Sequence, residues 1–273
     1  MRTYSLAFLT VSELDPVSAI YCAAENGYDA VGLRLMKASL IEPDYPLLYD
    51  DTLLAKVLEA KKETGISIGD IELIRLKPDT NVLSFEPFCK RAQILGARHV
   101  IVAGDDDNFF RISTNFKMLC ELGLSYDLTF NLEPMPWTKV PNIKTALRII
   151  EAVSMPNAGI LIDPLHFHRA GDALDDIRSI PSERMNIFQI CDAPALFDKT
   201  EAGLIHTARA NRLFPGDGDI KLAEIISCIP QSVVISIEVP NIEMAQYISV
   251  NERVKLALEK SKNIVNRSLK LQG

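Results

Sequence analysis

Thr129-Phe130-Asn131-Leu132-Glu133 is a β-rich run that ends in a carboxylate, and the reading of the whole chain starts from it. Three later runs close in the same way: Ile160-Leu161-Ile162-Asp163, Asn186-Ile187-Phe188-Gln189 and Ile235-Ser236-Ile237-Glu238. Each places an oxygen-bearing side chain where the sequence is otherwise apolar enough to be buried. Strands buried on both faces read this way, and parallel sheets bury both faces.

The same pattern predicts strands at residues 3–10, 28–35, 66–75, 98–103, 127–133, 157–163, 185–191 and 233–239. Helical spacing fills the intervals at 16–26, 51–64, 84–95, 108–122, 141–153 and 219–228, with a shorter stretch at 172–180. The punctuation agrees. Asp15 precedes Pro16 as an N-cap before a first-turn proline, and Gly27, Gly65 and Gly96 follow last turns. Eight strands alternating with helices give a closed barrel or an open doubly wound sheet. No G-x-G-x-x-G follows the first strand. The polar residues instead gather at C-terminal strand ends, where barrels place their chemistry. The expected fold is a single (β/α)8 TIM barrel spanning residues 1–273, with 192–218 folded over the mouth as an irregular lid.

Composition sets bounds on partners. The chain has 273 residues, enough for one barrel, and a net charge of −7 with no basic block, which argues against a nucleic-acid partner. No apolar run approaches the ~18 residues of a membrane span, and the N-terminus is too polar for a signal peptide. Five cysteines without a C-x-x-C pair read as buried hydrophobes in a reducing cytoplasm. A small hydroxylated, anionic molecule is the expected partner, with no membrane partner, and homo-oligomerisation is compatible with the composition.

A buried carboxylate is costly unless it is paired or binds a metal. Glu133, Asp163 and Glu238 converging on one mouth would also repel one another, and a divalent cation removes both problems. A lone residue of this kind is as often a solvated strand end; four on consecutive strands make a metal site the better reading. Glu133, Asp163, Gln189 and Glu238 form an all-oxygen set that suits Mg2+ or Mn2+, with Co2+ not separable, better than zinc. Pro134 and Pro164 directly follow two of these ligands and favour extended backbone there.

His166, three residues after Asp163, is a candidate for proton transfer, with His168 the competing imidazole. His99 begins the fourth strand and is expected at the opposite end of the barrel. Arg209 and Arg212 sit in the Gly/Pro-rich lid and could clamp an anionic substrate. Arg34, Glu72 and Arg75 near the ends of the second and third strands, and the only tryptophan, Trp137, are candidates for the pocket wall.

At these residues the chain resembles the xylose isomerase-like TIM barrels, which include sugar-phosphate isomerases and epimerases and endonuclease IV. The resemblance is clearest over residues 127–240. It implies a metal held by Glu133, Asp163, Gln189 and Glu238, with His166 beside it, and it matches a family R-x-x-P-G-x-G turn to Arg212-Leu213-Phe214-Pro215-Gly216-Asp217-Gly218. Sugar epimerases of this kind usually carry His on the seventh strand, whereas Phe188-Gln189-Ile190-Cys191-Asp192 looks more like bacterial 3-dehydroshikimate dehydratases. The second strand, Val31-Gly32-Leu33-Arg34-Leu35, lacks the Glu-rich end of both groups. With four histidines the chain does not suit the multi-zinc endonuclease branch.

The expected activity is divalent-metal-dependent isomerisation or epimerisation of a sugar or sugar phosphate by enolisation next to a carbonyl, with Glu133 and Glu238 as base and acid. A dehydratase-like lyase shares the same first step and is the alternative. A non-catalytic binding barrel is less compatible with a full ligand set.

Overall fold

The computed structural model describes residues 2–38 and 42–270. Eight parallel strands close into one barrel in chain order: β1 (Tyr4–Leu6), β2 (Ala30–Arg34), β3 (Ser67–Leu76), β4 (His99–Gly104), β5 (Thr129–Glu133), β6 (Ala158–Ile162), β7 (Met185–Ile190) and β8 (Val234–Ile237), with β8 pairing back onto β1. The outer ring comprises α1 (Pro16–Glu25), α2 (Asp51–Thr64), α3 (Glu86–Leu95), α4 (Phe109–Leu124), α5 (Ile143–Val153), α6 (Pro164–Ala170), α7 (Leu174–Arg178), α8 (Glu201–Ala210), α9 (Leu222–Ser227) and α10 (Val250–Leu269).

The helix starts follow the local chemistry. Asp15 accepts the N–H groups of Val17 and Ser18, with Pro16 in the first turn, and Gly65 and Gly96 end α2 and α3 in left-handed conformation. Between strands and helices lies one apolar layer that includes Phe88, Phe116, Phe130 and Phe188. Burying a side chain of that size contributes roughly 1.5–3 kcal/mol before the entropy of ordering it. A second, smaller cluster fills one side of the barrel interior: Leu73, Ile101, Ala103, Met135, Leu161 and Ile187, with Trp137 packed against it. All five cysteines are unpaired, as the sequence indicated. Among the described residues no helix is long and apolar enough to cross a membrane.

Three departures from the sequence pattern are informative. The first strand stops at Leu6, and Phe8–Val11 turns as a 3-10 helix. The Thr10 hydroxyl fixes that turn to the end of β8, donating to the Ile237 carbonyl at 2.8 Å and accepting the Val239 N–H at 2.8 Å. The lid segment 192–218 is not irregular throughout, because it contains α8. The long α10, absent from the helices read above, closes the ring and buries Val254, Ala257, Leu258, Ile264 and Val265.

Candidate active site

The mouth collects residues from the ends of β2, β3, β5, β7 and β8 and from the segments that follow β5, β6 and β7. Its walls include Arg34, Glu72, Glu133, Trp137, His166, Gln189, Arg209, Arg212 and Glu238. Glu133 is the last residue of β5, Asp163 follows β6, and Glu238 follows β8. All three carboxylates are buried, as are Gln189 and His166.

Asp163 serves two purposes. Its backbone is extended (φ −109°, ψ 120°), in line with the proline that follows, and its Oδ1 caps α6 by accepting the N–H groups of Leu165 at 2.7 Å and His166 at 3.3 Å. This cap starts α6 and brings His166 back over the mouth. His166 Nε2 then lies 3.3 Å from Glu133 Oε1 and 3.7 Å from Asp163 Oδ2. The Trp137 ring meets His166 edge-on, with centroids 4.9 Å apart. Glu133, Asp163 and His166 can offer ligand atoms within 4.8 Å of one another, which suits one cation. Gln189 Nε2 donates to Glu238 Oε1 at 3.0 Å, while its Oε1 is buried without a protein partner. A buried, unpartnered amide oxygen and buried carboxylates are donors that suit a hard divalent cation.

Arg212 is 2% exposed, and its donors are already committed. Nη1 donates to Asp163 Oδ2 at 2.5 Å, Nη2 lies 2.8 Å from Glu238 Oε2, and Nε donates to the Ala208 carbonyl at 2.7 Å. Burial raises the Asp163 carboxyl, but Arg212, His166 and the Leu165 N–H outweigh it, leaving the group below the ordinary carboxylate value. Glu238 goes the other way. Burial, with Glu72, Asp163 and Glu133 nearby, lifts it well above that value against the pull of Arg212.

The opposite wall is a second ionic group. Arg34 is paired with Glu72, and its Nη1 lies 3.1 Å from Glu42 Oε2; the guanidinium stands over the Phe8 ring at 4.6 Å. Arg209 is the least committed cation of the mouth, with Nη1 3.9 Å from Glu42 Oε1. Arg75 also lines the mouth, paired with Asp105.

Two expectations need correction. His168 is not part of the mouth: it sits beside Phe167 and Asp172 on the outer side of α6, where its Nδ1 lies 2.8 Å from Arg169 Nη1. A helix turns its i and i+2 residues away from one another, so His166 and His168 cannot both face the site. Arg212 reaches the mouth but is no free clamp for an anion. His99 lies at the far end, as expected, with its Nδ1 2.7 Å from the Thr129 hydroxyl.

Three residues were not found from the sequence. Glu42 lies in a polar connection with no pattern to mark it. Asp70, fully buried, interrupts the apolar run of β3 just as the other acids interrupt theirs, so the same signal was available. Asp192 organises the turn below Arg212, accepting the N–H groups of Ala193, Gly216 and Ile220. Gly218 is required there, since a Cβ would fall 2.4 Å from Asp192 Oδ1 and 2.5 Å from the Ala193 carbonyl oxygen.

The model of the family described as xylose isomerase-like TIM barrel matches residues 20–263. The chain belongs to that family. An inosose isomerase of Halalkalibacterium halodurans is 22% identical over 271 residues, covering 92% of each chain. Among solved structures, the IolI protein with a binding zinc atom superposes with a TM-score of 0.82 at 17% identity, covering 97% of this chain and 99% of that one. The probable 3-DHS dehydratase AsbF of Bacillus anthracis does so with a TM-score of 0.75 at 16% identity, over 96% and 99%. At these identities the structural likeness is one of fold.

Proposed function

We propose that this chain is a divalent-metal-dependent isomerase or epimerase acting on a small polyhydroxylated ketone or aldehyde. The observation that carries the reading is the buried group of Glu133, Asp163 and His166, whose ligand atoms lie within 4.8 Å of one another, with Glu238 joined to Asp163 through Arg212 and to Gln189 at 3.0 Å. Glu133, Asp163, Gln189 and Glu238 would hold the metal. Bound there, a divalent cation supplies Lewis-acid polarisation of the substrate carbonyl. An oxygen-only set favours Mn2+ or Mg2+; recruitment of His166 as a nitrogen ligand would favour zinc, the metal of the IolI structure.

The protein's own groups divide the rest. Glu133 removes the proton next to the carbonyl, and Glu238 returns one to the neighbouring carbon or the opposite face, so the net change is a relocated hydrogen. His166 donates to or relays a proton with the reacting oxygen, its ring plane fixed by Trp137. The Arg34–Glu72–Glu42 group binds hydroxyls on the far wall. Because Arg212 is spent on Asp163 and Glu238, an uncharged substrate fits better than the anion expected above. The name of the H. halodurans relative, an inosose isomerase, supports this reading.

The test is turnover of an inosose, ketoses and 3-dehydroshikimate with Mn2+, Mg2+ or Zn2+ and with EDTA. Metal-dependent interconversion of an uncharged ketone or ketose supports the reading. New ultraviolet absorbance from 3-dehydroshikimate alone would establish the lyase in its place.

A further inference from the structure

The guanidinium of Arg212 bridges Asp163 and Glu238, two of the acids proposed to hold the metal. We propose that Arg212 is a resident counter-cation of that ring: it supplies part of the metal's charge when the metal is absent and competes with it for Asp163 and Glu238. The inference rests on the metal-site reading.

Geometry shows that Arg212 is built in, in contrast to an arginine carried on a swinging lid. Of its five N–H donors, those on Nε, Nη1 and Nη2 meet the Ala208 carbonyl, Asp163 Oδ2, Cys191 Sγ at 3.2 Å and Glu238 Oε2. Its backbone is sewn to the loop that follows Glu238. The Arg212 N–H donates to the Pro240 carbonyl at 3.0 Å, and Asn241 Nδ2 donates to the Arg212 carbonyl at 2.9 Å. The same short segment therefore fixes both the guanidinium and one of its carboxylate partners.

Charge explains why the position is occupied. Glu133, Asp163 and Glu238 bring three negative charges into a buried site, and breaking a buried pair by removing one partner is strongly destabilising. When these three acids are ionised, one guanidinium offsets one charge and a divalent cation can offset the other two. The same guanidinium holds Asp163 Oδ2 and Glu238 Oε2 and would repel a cation bound by those carboxylates. Removing it should make the protein weaker without metal and more avid for metal, two effects a purely structural arginine would not couple.

The experiment uses the full chain stripped with EDTA, as wild type, Arg212→Lys and Arg212→Met. Melting temperature is followed with and without Mn2+, and the Mn2+ Kd is measured by electron paramagnetic resonance. Arg212→Met should melt lower in EDTA, gain more from Mn2+ than wild type does, and bind Mn2+ roughly tenfold more tightly. Arg212→Lys, which keeps the charge, should stay near wild type. If Arg212→Met folds only with Mn2+ present, that is the same result in stronger form. Failure to fold in Mn2+ as well, an Mn2+ gain no larger than that of wild type, or weaker binding overturns the proposal. If wild type itself binds no Mn2+, the metal-site reading falls and takes the proposal with it; wild-type binding with an unaltered gain sinks the proposal alone.

Discussion

His166 shows how much one side chain's role depends on its neighbours. Capping by Asp163 places it in the first turn of α6, Trp137 holds its ring edge-on, and its Nε2 faces Glu133 at 3.3 Å. Its Nδ1 is buried without a protein partner. The proposed role on substrate oxygen can be separated from a role in the fold. His166→Ala should lower kcat by on the order of 10²–10⁴ while Mn2+ binding persists. Single-turnover rates and metal titration on the same preparation check this; near-normal kcat would remove His166 from the chemistry, and lost metal binding would make it a ligand. At this scale the sequence was a partial guide. The carboxylates stood out because each breaks an apolar run. The commitment of Arg212 was invisible, since its partners are 49 and 26 residues away and nothing local reports them.

At the scale of elements, the strands were legible for a physical reason: burial on both faces leaves few polar residues to blur them. Their ends were less so. Residues 8–11 are apolar enough for a strand, but the Thr10 hydroxyl satisfies backbone groups after β8 and turns the chain. The last helix carries a clear apolar spacing in Val254, Ala257, Leu258 and Val265, and its many charges conceal it only on the outer face. The foot of β4 yields a pH prediction. Burial, with Arg98 beside it, lowers the His99 imidazole from 6.5 to about 4. Between those values the unfolded chain binds a proton that the folded chain does not, so stability falls as pH drops through this window and is steady above it. The loss at pH 4 is about 1–3 kcal/mol. Urea unfolding of wild type and His99→Gln from pH 4.5 to 7.5 checks it: the variant should show the shallower decline, and parallel curves would show that His99 carries no such linkage.

For the whole molecule, barrel closure is what turns separate strand ends into one site. β5 through β8 are neighbours in the closed sheet, so residues up to 105 positions apart in sequence (133 to 238) meet at one mouth. Family membership gives the fold independently of these residues, and the mouth is where members can diverge in chemistry on the same scaffold. In this chain the mouth carries Gln189 beside Glu238, the Arg34–Glu72 pair, and Arg212 bound to Asp163 and Glu238.

If Glu133, Asp163 and Glu238 hold a single metal ion, metal content and Mn2+ titration of the stripped protein, beside Glu133→Gln and Asp163→Asn, will register it. The expected result is about one Mn2+ per chain for wild type and binding weakened by on the order of tenfold or more in each variant. Equal stoichiometry and affinity in all three proteins would contradict the site.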